Sequence, residues 1–253
     1  MPQETNNAVS RIYPILEAAS EQPKTRQAVT IWAQVLGVTN ASTLDGVYDT
    51  VHLMRLLANE IRLAKSQMES TGMLTEDLYA FAFDSAYETI DILNLGSPWA
   101  NYISRLSHRV LTALKMCVQL TSASIHEEEV PFSELNDLLD DLDELKASVE
   151  QRSLSSDLKS FIFSQIAIIE RTILEVRIVG VEAFGRGIGE FAAGIAGNQQ
   201  LVKQNADEPE VTSLKKSWDK FLAIAAQFIT LGRAVETGRK MAEIGGDVAD
   251  KIS

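Results

Sequence analysis

The sequence predicts an all-α protein, a multi-helix bundle of about eight helices that ends in two long ones. Three observations carry this. Apolar residues recur at spacings of three and four between nearly all turn signals, no stretch alternates as a strand would, and capping residues stand where the periodic runs begin.

Two short helices are expected first, over 7–19 and 24–36; Pro14 inside the first should kink it or mark its start, and Gly37 with Thr39 to Thr43 ends the second. A long helix over 44–70 follows the capping-box-like Ser42-x-x-Asp45, carries Val47, Val51, Met54, Leu57, Ile61 and Met68 on one side, and stops at Gly72. Thr75, with Glu76 and Asp77 behind it, opens a helix to about Leu95. Gly96-Ser97-Pro98 then makes a turn, with Ser97 as cap and Pro98 as the first residue of a helix to about Ile125.

Leu135, Leu138, Leu139, Leu142, Leu145 and Val149 line one face of a helix near 133–150. Ser155 or Ser156 caps the longest helix, 157–200. Asn205 to Glu210, with Pro209, reads as an exposed loop, and a last helix occupies 213–250.

At 253 residues the chain can bury a core as one large domain or two smaller ones. A single helical domain over 1–253 is expected, with halves 1–126 and 132–253 as the alternative; no repeat of fixed period appears. Apolar residues make up 45% and charged residues 23%, ordinary globular usage.

The net charge is −12, and residues 127–150 alone contribute −9 through ten carboxylates against Lys146. Nucleic-acid binding rests on basic groups that displace phosphate counterions, so no nucleic-acid partner is expected. Asp137, Asp140, Asp141 and Glu144 read as the wet face of an amphipathic helix. Cys117 cannot form an internal disulfide and sits on an apolar stripe as a small core residue. Residues 1–10 contain no signal-like apolar run, and the expected location is cytoplasmic.

No constellation calls for a metal, a cofactor or a catalytic group. His52, His108 and His126 are far apart, and His126 before Glu127, Glu128 and Glu129 reads as a solvated acidic patch. The carboxylates of 137–144 lack the spacing and central glycine of a calcium loop. There is no nucleophile elbow, and Ser107 and His108 point to different sides of one helix. Asp143-Glu144-x-Lys146 matches a nuclease-like acid-acid-lysine order without the strands that support one.

Gly185-x-Gly187-x-Gly189 lies inside a helical pattern, not between a strand and a helix, which excludes a phosphate loop. Gly185, Gly189, Ala193 and Gly197 recur every four residues as a ridge, with Ile188 and Phe191 beside it. Each interior glycine costs a helix about 1 kcal/mol relative to alanine, so a close contact should offset it. The plain candidate is the 213–250 helix, rich in Ala223, Ala225, Ala226, Gly232, Ala234 and Gly238; a second copy or partner chain, and a conformational or membrane role in which a weak helix rearranges, are the others. Glu182, Arg186 and Glu190 interrupt the ridge, so it does not read as an ordinary membrane span, and no membrane partner is expected in the resting state.

The stretch Leu158 to Ala196 resembles uncharacterised all-helical bacterial proteins. The likeness lies in Ser156-Asp157-Leu158-Lys159, Gln165, Ile169, Arg171, Arg177-Ile178 and Gly180, while Val176 stands where that pattern has tyrosine and the glycines after Phe184 replace longer residues. It implies a bacterial origin and no site residues.

The expected function is therefore a non-catalytic interaction or assembly module that binds itself or another protein through Gly185, Gly189, Ala193, Gly197, Ile188 and Phe191. A membrane-active or defence-associated effector whose C-terminal helices rearrange is the second reading. An enzyme without a recognisable motif is the third.

Overall fold

The structure is a computed structural model that describes residues 7–39, 41–125, 130 and 132–228. All regular structure among them is helical: ten α-helices and four 3-10 turns, with one isolated bridge between Gln27 and Pro98. The chain groups into two compact units, one of Met1–Glu129 with Arg177–Gly180, the other of Val130–Val176 with Val181–Ser253. The first break falls in the acidic stretch between the halves 1–126 and 132–253; nothing in the sequence marks the return of residues 177–180 to the first unit.

In the first unit, α1 (Ala8–Ser20) starts at Asn7, whose side chain accepts from the Ser10 amide, and Pro14 lies within it. Next come α2 (Ala28–Leu36) and α3 (Leu44–Thr71). Thr43, not Ser42, caps α3 by accepting from the Gly46 amide at 3.1 Å. The buried stripe of α3 runs from Gly46 and Thr50 through Leu53, Met54, Leu57, Ile61 and Ala64 to Met68, with Val47 and Val51 only half-buried, so the core-facing side is rotated round the helix from the valines.

Two of the expected helices are shorter than the periodicity implied. Over 75–95 only α4 (Ala80–Glu88) is α-helical. After it, the Asp91 carboxylate accepts from the Leu93 amide and the Asn94 side chain, a local turn that competes with helix. Over 97–125 only α5 (His108–Ser122) is α-helical. The backbone at 97–99 instead exchanges hydrogen bonds with the start of α2: Ala28 donates to the Ser97 carbonyl and Trp99 to the Arg26 carbonyl. This seats the Trp99 indole, fully buried, edge-on to Trp32 at 5.4 Å with Nε1 donating to the Ala19 carbonyl. Burying an indole outweighs continuing a helix whose first residue, Pro98, is extended at ψ 139°.

In the second unit, α6 (Phe132–Gln151) buries Leu135, Leu138, Leu142, Leu145 and Val149. Each such side chain contributes roughly 1.5–3 kcal/mol when fully buried. The helix lies antiparallel to α10 (Pro209–Phe228), as Lys220 donating to Asp141 at one end and Ser148 donating to Glu210 at the other require. Glu210 is buried, so the expected exposed loop ends before it, and Pro209 opens α10 four residues ahead of the expected start. Residues 229–250 of the expected 213–250 helix lie outside the described residues, as does the His126–Glu129 run.

The single long helix expected over 157–200 is three: α7 (Ser156–Val179), α8 (Glu182–Gly197) and α9 (Gln199–Gln204). Ser155 stands at its start, accepting from the Leu158 amide. Gly180 ends α7 with φ +70°, a left-handed conformation that costs little only for glycine. Within the second unit α7 and α8 then run antiparallel: Glu175 meets Arg186, Arg171 meets Glu190, Thr172 faces Gly187 and Gln165 faces Gly194. Among the described residues no helix is long and apolar enough to cross a membrane.

Candidate functional site

Two helices of the second unit, α7 and α10, define the surroundings of α8. On the α7 side, a Cβ at Gly187 would lie 2.7 Å from Thr172 Cγ2 and 2.9 Å from its Cβ, and a Cβ at Gly194 would lie 2.9 Å from Gln165 Cδ. These two glycines are seven residues apart, so they return to nearly the same face after two turns and allow α7 to approach. On the α10 side, Phe191 stacks on Trp218 with ring centroids 3.7 Å apart, and Phe184 meets Phe221 at 5.6 Å.

The expected ridge is elsewhere. At about 100° per residue Gly189 lies about 200° round the helix from Gly187, on the side away from α7. Gly185, Ala193 and Gly197 are exposed, Gly189 and Ile188 half-buried, and Phe191 buried. Among the described residues nothing lies within 4 Å of a Cβ placed on Gly185, Gly189 or Gly197. Among the described residues α8 meets α10 through Phe184 and Phe191 and not through this ridge, while residues 229–250 of the expected partner helix lie outside them. The close-packing glycines are Gly187 and Gly194. Their seven-residue spacing, paired with small or polar Thr172 and Gln165 at the same spacing on a helix otherwise full of isoleucine, was the signal available in the sequence.

Charges fasten the α7–α8 pair beside the ridge. Glu175 is buried between Arg186, whose guanidinium donates to it at 2.8 Å, and Arg171, 3.8 Å away, and Arg171 also pairs with Glu190. Arg186 and Glu190 therefore hold α8 to α7. On α6, Asp137, Asp140, Asp141 and Glu144 are all exposed, with Asp141 held by Lys220 at 2.7 Å. Among the described residues no group of His, Cys, Asp and Glu side chains is placed to hold a metal ion.

Cys117 is fully buried on α5, and burial pushes its thiol up to about 11. Because the folded value lies above the ordinary 9.0, the folded state favours the neutral thiol; its contribution to stability is complete below about pH 9 and is lost as the pH rises through 11. At pH 7 the thiol is therefore protonated, and the thiolate is the reacting form. A thiol-disulfide reagent at neutral pH is expected to leave the native protein unmodified and to titrate the cysteine after denaturation; rapid native labelling would place Cys117 in an open environment.

No family model matches the chain, and comparison with curated proteins and with solved structures gives no match.

Proposed function

We propose that the chain is a non-catalytic helical interaction module that assembles with itself or another protein through the exposed side of α8. The observation that carries this is the set Gly185, Gly189 and Gly197. Gly187 and Gly194 are accounted for by Thr172 and Gln165, but these three have open space around them among the described residues, and Gly185 and Gly189, inside the helix, weaken it by about 1 kcal/mol each relative to alanine. A helix that close to a second backbone would justify them. Ala193 continues the side-chain-poor strip, Ile188 borders it with apolar surface, and Phe191 fixes the helix from behind by stacking on Trp218. The exposed carboxylates of α6 offer a second face, suited to a basic partner.

A photo-crosslinking residue at Ala193 tests the reading, with and without Gly189→Leu. The expected product is a covalent dimer, or a heteromeric adduct in the native cell, that Gly189→Leu abolishes while the melting temperature holds or rises, since the leucine meets no described neighbour. Capture confined to residues 229–253 of the same chain would make the ridge an internal contact and overturn the proposal.

A further inference from the structure

We propose that Arg11 is a latch for the corner between α7 and α8, a positioning residue on α1 that fixes Ile178–Gly180 through a guanidinium itself held by Glu60. The corner is the short piece of chain, Arg177–Gly180, that belongs to the first unit while the helical residues before and after it belong to the second. Arg11 and Glu60 are 8% and 4% exposed, so this is a buried ion pair and not a surface one. Arg11 Nε donates to Glu60 Oε1 at 3.1 Å and to the Ile178 carbonyl at 3.2 Å, and Nη2 pairs with the same carboxylate.

Three features make this a device for the corner and more than a core ion pair. The Ile178 carbonyl lies in the last turn of α7, where carbonyls lack helical partners and the helix dipole favours a cation. Gly180 turns the chain at φ +70°, and a Cβ there would stand 3.0 Å from Arg11 Nη1 and 3.2 Å from Cζ, so the guanidinium lies flat against the turn. The planar fork of arginine serves carboxylate and carbonyl together, which the single ammonium of lysine cannot reproduce in the same geometry. The corner is thus held from the side by α1 and α3 and opens as a local unit when the fork is lost. This inference does not depend on the assembly reading.

Hydrogen exchange on the full chain, read peptide by peptide, tests it with two variants that retain most of the fold. Arg11→Lys keeps the charge beside Glu60 and loses the fork. Gly180→Ala leaves the ion pair's own residues intact and pushes a methyl group at the guanidinium. Both are expected to speed exchange over residues 178–184 at least ten-fold, with exchange in the middle of α3 and in α10 changed less than three-fold. Unchanged exchange at 178–184 in both variants would overturn the proposal. Equal acceleration throughout the chain would overturn it too, because Arg11 would then support the core generally and not the corner.

Discussion

Arg11→Met is expected to lower the unfolding free energy by about 3–5 kcal/mol, the cost of removing one member of a buried ion pair. Glu60 is buried on α3 among Leu57, Ile61 and Ala64. At about 2–4 °C per kcal/mol this is a fall of roughly 6–20 °C in Tm. The double variant Arg11→Met with Glu60→Leu should recover most of the loss, because two apolar residues of similar volume avoid the desolvation that the ion pair must overcome. The corner carbonyl of Ile178 would still lack its donor, so recovery should stop short of complete by about 0.5–1.5 kcal/mol. Chemical denaturation of the two single variants and the double variant gives the coupling directly. A coupling near zero would mean that Arg11 and Glu60 are each satisfied independently of the other.

The pair also shows where sequence reading stops. Arg11 and Glu60 are 49 positions apart on two amphipathic helices. Each sits at a position that a periodicity argument assigns to the core face, yet charged residues are read as solvent-facing by default. Only the packing of α1 on α3 shows that they neutralise each other. The helical class and the leucine face of α6 were legible because they depend on local spacing, which a sequence displays. The breaks at Asp91, Trp99 and Gly180 were less so. Gly180 is an isolated glycine in a periodic run, compatible with both a tolerated interior residue and a left-handed C-terminus, and what decides is the φ of +70° against Arg11. Trp99 follows a proline that could equally have opened a helix, and what decides is a pocket formed by Trp32 and the Ala19 carbonyl.

Helix geometry decides which glycines of α8 can meet a straight neighbour such as α7. A four-residue spacing advances about 40° round the helix at each step, so the strip from Gly185 to Gly197 winds through about 120° and suits a neighbour that crosses α8 at an angle. A seven-residue spacing drifts only about 20° the other way and keeps two residues against one straight neighbour. The glycines that α7 actually uses are therefore Gly187 and Gly194.

Gly187→Val is accordingly expected to be the most damaging substitution on α8, costing about 1–3 kcal/mol for overpacking and more if α7 cannot retreat. Even the first carbon of the new side chain would sit 2.7 Å from Thr172 Cγ2. Thr172 has little freedom to yield: it is 3% exposed, and its hydroxyl donates to the Ile168 carbonyl at 2.7 Å, which fixes its rotamer. Retreat of α7 as a whole is resisted one turn away, because separating the helices would break the ion pairs of Glu175 with Arg186 and of Arg171 with Glu190. Gly189→Ala supplies the internal control, since the same backbone gains a methyl group facing open space among the described residues and should stabilise the helix by up to about 1 kcal/mol. Thr172→Ala combined with Gly187→Ala should restore part of the loss by removing Cγ2 and the hydroxyl, but not all of it, because the two Cβ atoms would still be 2.9 Å apart. Thermal melts of the three variants decide the matter. If Gly187→Val and Gly189→Ala shifted Tm equally, the glycines of α8 would share one environment and the face that α7 occupies would have to be reassigned.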